Sequence, residues 1–195
     1  YGFALSRFSG TWVGFKAISE IVESGQSFDL LKPREFVTPQ FDTPSGGIHV
    51  RKLDLPSPEI ETRMIHKLRA VDAFVHANPL DRAIFDSPSA TFGIVTSGKA
   101  YNDVREALRL LDLSETDCRK IGIDIYKVGM VWPLAKSAAL GFMEGKDELF
   151  VIEEKRGIIE SQLKEYFYDW QGDKPQRILG KHDETLNTLL PWTGE

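Results

Sequence analysis

The chain has 195 residues, of which 42% are hydrophobic and 27% are charged, an ordinary balance for one globular domain or one domain with an appendage. The formal net charge of −5 gives nucleic-acid binding no electrostatic support, and no apolar run approaches the ~20 residues of a membrane span. The single cysteine, Cys118, excludes an internal disulfide and a cluster held by four cysteines, and it favours a cytoplasmic protein.

The first residues are typical of the interior of a longer sequence. They begin without Met and carry no signal-peptide pattern, which indicates a segment of a longer protein. Apolar residues near one face predict a first helix from Ser9 to Glu23, which Gly25 would end.

The amino-acid composition changes over residues 25–59, which are rich in proline and glycine. Five prolines and the pair Gly46-Gly47 disfavour helix interiors and central strands, so this part is predicted to be an extended linker. A short strand is predicted within it at residues 46–55. The next helix is predicted from Ile60 to Asn78, with an apolar stripe formed by Met64, Leu68, Val71 and Val75.

Strands and helices alternate in the rest of the chain. A short edge strand is predicted at 82–86, followed by strands at 91–97, 123–129, 148–154 and 175–181. Helices are predicted between them, one capped by Ser114, one with Pro133 in its first turn, and a strongly amphipathic one over 156–170. This order predicts an α/β fold of three layers, a mainly parallel sheet with helices on both faces.

Ligands of such sheets bind beyond the carboxyl ends of the strands, which selects two loops as candidates for an interface or the edge of a channel. Their residues are Thr96, Ser97 and Lys99, and Glu153, Glu154, Lys155 and Arg156. The sequence TSGK matches neither a Walker motif nor G-x-G-x-x-G, so anion binding and a capped turn both stay open. The sequence EEKRG allows acid–base chemistry, internal ion pairs or an interface.

Residue chemistry alone predicts no self-sufficient active site. No histidine has H-E-x-x-H spacing, Cys118 has no histidine near it in sequence, and no G-x-S-x-G elbow is present. Metal binding, cysteine catalysis and a serine nucleophile are therefore not predicted.

Four stretches carry a resemblance to a known family. They are LSRFSGTWVGFKAISE, DSPSATFGIVTSGKAYNDVREALRLLDL, IDIYKVGMVWPL and LFVIEEKRGIIESQLKEYFYD. Together they resemble the indolepyruvate:ferredoxin oxidoreductases, which are thiamine-diphosphate enzymes of the 2-oxoacid oxidoreductase superfamily.

The resemblance implies a place inside a longer enzyme. Residues 1–24 resemble the end of a pyrimidine-binding thiamine domain, and residues 60–195 resemble the transketolase C-terminal-like domain. The parts that would supply the activating glutamate, the magnesium ligands and the cluster cysteines are missing. We therefore expect no catalytic, cofactor-binding or metal-binding residue in this segment, whose role would be structural.

The resemblance also implies the chemistry of the whole enzyme. It oxidatively decarboxylates aryl 2-oxoacids to acyl-CoA and passes the electrons to ferredoxin, using thiamine diphosphate, Mg²⁺ and [4Fe-4S] clusters. The implied partners of the segment are other domains of the same enzyme, in a homodimer or hetero-oligomer, with neither nucleic acid nor membrane involved.

Two other interpretations are compatible with the sequence. One is a relative of transketolase or the 2-oxoacid dehydrogenases, which has the same domain and a different electron acceptor. The other is a free-standing flavodoxin-like module that binds a nucleotide at the TSGK turn.

Overall fold

The computed structural model describes residues 1–25, 27–30 and 32–182, which form two compact units divided between Pro79 and Leu80. This division lies later in the chain than the predicted boundary at 59/60, because the helix predicted from Ile60 belongs to the first unit. Residues 26 and 31 of the predicted linker and the end of the predicted α/β domain, 183–195, lie outside the described residues.

The first unit is built around one long helix. Phe74 of this helix makes ring contacts with Tyr1, Phe8 and Phe36 at centroid distances of 5.6, 5.5 and 6.0 Å. These contacts bring the start of the chain and the connector onto the same helix face. The helices are α1 (Gly2–Ser9), α2 (Ser19–Val22) and α3 (Glu59–Ala77), with a 3₁₀ turn at Lys52–Asp54.

The predicted helix from Ser9 to Glu23 is wrong. Helix α1 ends where that helix was expected to begin, because Gly10 adopts a left-handed φ of 69° as its C-cap. Residues 10–18 are not helical, and Phe15, a member of the predicted apolar face, is 93% exposed. With nothing in the described chain to cover that face, amphipathicity alone does not hold a helix there.

The predicted strand at 46–55 is also wrong, because a buried carboxylate organises this stretch as a turn. Asp54 accepts a hydrogen bond from the Arg51 N–H at 2.8 Å and pairs with Arg63 of α3 at 2.8 Å. The hydrogen bond from the Arg51 side chain, and then the charges of both arginines, lower the pKa of Asp54 to about 2.

The bounds of helix α3 agree within one residue with the helix predicted from Ile60 to Asn78. In the first half of the helix, however, the buried side chains are not those of the predicted apolar stripe. Met64 and Leu68 of the predicted stripe are exposed, whereas Arg63 and Lys67 are buried. The ion pair with Asp54 accounts for the burial of Arg63.

The second unit is an α/β unit around a five-stranded sheet. The strands are β1 (Arg82–Ala83), β2 (Phe92–Ser97), β3 (Ile123–Val128), β4 (Glu148–Ile152) and β5 (Arg177–Leu179). The strand order is β1-β3-β2-β4-β5, with β1 antiparallel to β3 and all other neighbours parallel. This confirms the mainly parallel sheet and the positions of the predicted strands, although β1 and β5 are shorter than the strands predicted at 82–86 and 175–181. The helices are α4 (Gly98–Leu110), α5 (Glu115–Ile121), α6 (Lys136–Met143) and α7 (Ile158–Tyr168).

Helices cover both faces of this sheet. On one face, Ile94 and Ile125 of the strands pack with Val104 and Leu108 of α4 and with Cys118 of α5. The other face packs against α6 and α7, and its apolar cluster includes Val95, Leu149, Met143, Ile159 and Leu163. Successive residues of β2 therefore alternate between the two helix layers.

The helix predicted from Pro133 begins three positions later, at Lys136. The backbone of Leu134 is held by tertiary contacts instead: its N–H donates to Gln162 Oε1 at 2.8 Å, and its carbonyl accepts from the Tyr166 hydroxyl at 3.2 Å. These partners satisfy the backbone outside a helix, so the favourable position of proline in a first helical turn is overridden.

The local signals of α5 and α7 are confirmed, whereas the predicted apolar face of α4 is buried at Val104 and Leu108 and exposed at Ala107 and Leu111. Ser114 and Asp117 form the capping box of α5, and Ile159, Leu163 and Phe167 of the predicted α7 stripe are buried. Within the described residues, no helix combines the length and the apolar character that crossing a membrane requires.

Candidate functional site at the carboxyl edge of the sheet

The topology selects the crevice between β2 and β4. The strands β2 and β4 are neighbours in the sheet. The chain leaves β2 toward β3 on one side and leaves β4 toward β5 on the other side, so the two connections run in opposite directions. Ligands of open α/β sheets bind where the strand order reverses in this way. The two loops predicted from sequence, which follow β2 and β4, are the ones that flank this crevice.

The loop after β2 leads directly into α4. Thr96 is fully buried and its hydroxyl has no hydrogen-bond partner in the structure. Ser97 is the N-cap residue of α4, yet its side chain makes no capping hydrogen bond. Gly98 has a left-handed φ of 55°, with open space where a Cβ would lie. Lys99 forms an ion pair with Asp103 at 3.0 Å along the helix.

The loop after β4 is closed by its own carboxylate. Glu153 Oε1 accepts a hydrogen bond from the Ile159 N–H at 2.8 Å, and Oε2 accepts one from the Glu160 N–H at 3.1 Å. A negative charge therefore occupies the N-terminus of α7, where the helix dipole favours it. Burial is the larger influence and raises the pKa of Glu153, against the two backbone hydrogen bonds that lower it.

A second carboxylate, that of Glu160, joins α7 to the chain that follows β5. Glu160 is 3% exposed; its Oε2 accepts the Lys181 N–H at 2.7 Å and its Oε1 pairs with Lys164 Nζ at 2.6 Å. An added Cβ at Gly157 or Gly180 would lie 2.6 Å from this carboxylate, so both glycines are required for its fit. The contact to Lys181 joins residues distant in sequence, which is why sequence reasoning missed it.

The remaining charges of the EEKRG turn do not pair with each other. Lys155 and Arg156 are exposed, and neither forms an ion pair with Glu153 or Glu154 in the part of the chain that the structure describes. The predicted alternative of internal pairing is therefore wrong. The Glu154 carbonyl accepts a hydrogen bond from Lys181 Nζ at 3.0 Å.

The loop after β3 is held by Asp81, a residue that the sequence did not indicate. Asp81 Oδ1 accepts the Gly129 N–H at 2.7 Å, and Oδ2 accepts the Tyr126 hydroxyl at 3.0 Å. Burial and then the neighbouring carboxylate raise the pKa of Tyr126. This loop is thus fixed by structural contacts.

The described residues do not fit an iron–sulfur cluster or the magnesium of a thiamine-diphosphate site. Cys118 is fully buried among apolar side chains, so its sulfur is not available to a cluster. Within the described ranges, no group of three His, Cys, Asp or Glu residues is arranged to hold a metal ion. No step of a reaction is therefore assigned to such a group here.

A family model of the indolepyruvate ferredoxin oxidoreductase middle domain matches residues 81–191, more than half of the chain. The chain belongs to this family. The match covers both candidate loops and every strand of the sheet. It confirms the resemblance drawn from the four sequence stretches.

Two relatives carry the name indolepyruvate oxidoreductase subunit IorA. The protein from Methanothermobacter marburgensis is 23% identical over 100 residues, which are 51% of this chain and 15% of that protein. The protein from Thermococcus kodakarensis is 29% identical over 80 residues, which are 41% of this chain and 11% of that protein. The match thus covers a small fraction of the length of these relatives.

A solved structure is also similar to this indolepyruvate ferredoxin oxidoreductase middle-domain chain. It is the 2-oxoglutarate:ferredoxin oxidoreductase of Magnetococcus marinus with 2-oxoglutarate, coenzyme A and succinyl-CoA bound. The two are 15% identical with a TM-score of 0.46, and the match covers 82% of this chain and 25% of that one.

Proposed function

We propose that this chain is a structural segment of an indolepyruvate:ferredoxin oxidoreductase that orients neighbouring domains of the same enzyme. The whole enzyme oxidatively decarboxylates an aryl 2-oxoacid to an acyl-CoA and passes the electrons to ferredoxin. Membership of the middle-domain family and the IorA relatives support this activity. Thiamine diphosphate, Mg²⁺ and [4Fe-4S] clusters belong to other parts of the enzyme in this proposal.

The observation that carries the structural role is the arrangement of the loop after β4. Its first carboxylate, Glu153, accepts hydrogen bonds from two backbone N–H groups at the N-terminus of α7, and the Glu154 carbonyl accepts a hydrogen bond from Lys181 Nζ. Lys155 and Arg156 are left exposed on a rigid turn at the topological switch point. A rigid turn that presents two cations suits contact with an acidic surface of an adjacent domain.

The proposal extends to the assembly and its setting. The enzyme functions as a homodimer or hetero-oligomer, with the carboxyl edge of this sheet bordering another domain or the active-site channel. It is cytoplasmic, where the thiol of Cys118 stays reduced.

Alanine substitution in the full-length enzyme tests the role of this edge. Arg156→Ala and Lys99→Ala are expected to reduce turnover or assembly, while the free energy of unfolding of the chain changes by less than about 1 kcal/mol, as for exposed charges. Lys120→Ala is the matched control, because it removes an exposed cation from α5, near the opposite edge of the sheet. Turnover and assembly that stay unchanged in both edge variants would contradict the proposal.

A further inference from the structure

Strand register places a row of side chains across the carboxyl end of the sheet. Arg82 of β1 is opposite Lys127 of β3, and Lys127 is the partner of Thr96 of β2. Directly paired residues point to the same side of a sheet. Thr96 has the same parity along β2 as Ile94, which packs against α4, so the row lies on the face that α4 covers.

Arg82 and Lys127 of this row, and Arg105 of α4 next to them, pair with no carboxylate in the part of the chain that the structure describes. Lys127 Nζ lies 4.2 Å from the centre of the Tyr101 ring, and the Arg105 guanidinium is 6.0 Å from the same ring and donates to its hydroxyl at 3.2 Å. Among the described residues, Arg82, Arg105 and Lys127 form no ion pair. Three cations are thus gathered without neutralisation in a chain whose net charge is −5.

The nearby acidic residue of α4 faces elsewhere. Asp103 pairs with Lys99. Asp103 is two positions along the helix from Tyr101 and two from Arg105, which places it about 200° around the helix axis from each. Asp103 therefore does not neutralise the positive charges of Arg82 and Lys127.

Two further groups at this place lack partners. The first amides of α4 have no side-chain cap, and a helix N-terminus attracts negative charge. The Thr96 hydroxyl, buried at the same end of the sheet, has no hydrogen-bond acceptor or donor in the structure. A buried polar group without a partner is costly, which points to a ligand that supplies one.

We propose that Lys127, Arg82, Thr96 and the N-terminus of α4 form a binding site for a phosphate-type anion. When the anion binds, Lys127 Nζ moves from the Tyr101 ring to the anion. This movement gives the anion access to the Thr96 hydroxyl. The hydroxyl and the first amides of α4 then donate to the anion oxygens, while Arg82 supplies charge from the exposed edge strand. The anion is either free phosphate or the terminal group of a phosphorylated ligand, and this site is independent of the structural role proposed above.

Calorimetric titration of the 195-residue chain at constant ionic strength tests the site, with inorganic phosphate and phenyl phosphate as probes. Saturable binding is expected, and Lys127→Gln is expected to weaken it about tenfold or more, the scale of one charge-assisted hydrogen bond. Thr96→Val removes only the hydroxyl and should weaken binding to a lesser degree. Arg82→Gln changes an exposed side chain, so it tests the site without disturbing the core.

The matched control is Lys136→Gln. Lys136 Nζ also lies over a tyrosine ring, 5.2 Å from the centre of Tyr166, but on a different helix. This variant should bind as the wild type does. Equal affinity for the two probes identifies free phosphate as the ligand, and tighter binding of phenyl phosphate identifies a phosphorylated one. Absence of saturable binding up to about 10 mM, or equal weakening in the Lys136 and Lys127 variants, would overturn the proposal.

Discussion

The loops after β2 and β4 occupy equivalent positions in the fold and differ in whether a side chain caps the helix that follows. Each leaves the carboxyl end of a central parallel strand and starts a helix. In the loop after β4, Glu153 occupies the N-terminus of the helix with its own negative charge. In the loop after β2, Ser97 makes no capping hydrogen bond. The nearby cations Arg82 and Lys127 form no ion pair with a carboxylate of the described residues.

The same topology thus produces a closed loop, in which Glu153 caps the helix N-terminus, and an open loop, in which no side chain caps it. A helix N-terminus attracts an anion in either loop, and the sequence decides whether a side chain or a ligand provides it. The closed loop suits a rigid structural contact, whereas the open loop suits anion binding. The following four expectations test the comparison, from the largest effect to the smallest.

The core beneath α7 is expected to provide the largest effect. Leu163 is fully buried, so Leu163→Ala should lower the free energy of unfolding by about 2–5 kcal/mol through lost burial and a cavity. Leu110→Ala is the control on α4, because Leu110 is 70% exposed. Chemical denaturation measures both. A loss below about 0.5 kcal/mol, typical of surface sites, for Leu163→Ala would mean that the core does not hold α7 in place.

The packing of the Glu160 carboxylate against Gly180 is expected to be sensitive to an added methyl group. In Gly180→Ala the new Cβ would lie 2.6 Å from the Glu160 carboxylate, so the free energy of unfolding should fall by about 1–3 kcal/mol. Gly141→Ala, inside helix α6 with open space around it, should be neutral or stabilising by up to about 1 kcal/mol. Equal unfolding midpoints in denaturant for the two variants would show that Glu160 is not confined by Gly180.

The two helix N-termini can be compared directly by removing one side chain from each. Glu153→Ala leaves two backbone N–H groups of α7 without their acceptor and should cost about 1–2 kcal/mol. Ser97→Ala removes no capping hydrogen bond and should change the stability by less than about 0.5 kcal/mol. Denaturant unfolding of both variants at neutral pH checks this, and the reverse order of losses would invert the comparison.

The burial of Glu153 also predicts a pH dependence. Because its pKa is raised above the ordinary value of 4.5, the folded state binds the proton more tightly than the unfolded state does. The free energy of unfolding of the wild type, relative to that of the non-titrating variant Glu153→Gln, should therefore rise as the pH falls from the raised pKa to 4.5. Below pH 4.5 this difference should become constant. Denaturation of both proteins across this range measures the difference, and a relative stability that falls toward low pH would show that the hydrogen bonds outweigh burial.

Patterns that depend on nearby residues were predictable from the sequence. Alternating apolar strands and amphipathic helices indicated the parallel sheet, and Ser114 with Asp117 indicated the start of α5. The two candidate loops were also placed at the correct edge, because the carboxyl ends of parallel strands share one side of a sheet.

Features that depend on distant contacts were not predictable. The delayed start of α6 depends on Gln162 and Tyr166, which bind the backbone of Leu134 from another helix. The row that joins Arg82 and Lys127 requires the strand order and register, neither of which local periodicity specifies. The capping role of Glu153 likewise needs the path of the turn that returns it to α7.

We propose that this middle-domain segment contributes structure to the enzyme and has no thiamine diphosphate site of its own. Calorimetric titration of the 195-residue chain with thiamine diphosphate and Mg²⁺ tests it most directly. We expect no Mg²⁺-dependent saturable binding in the micromolar range, because the described residues offer no group of three metal ligands. Binding that is independent of Mg²⁺ and is weakened by Lys127→Gln would instead belong to the proposed anion site. Mg²⁺-dependent saturable binding of thiamine diphosphate in the micromolar range would contradict the structural role.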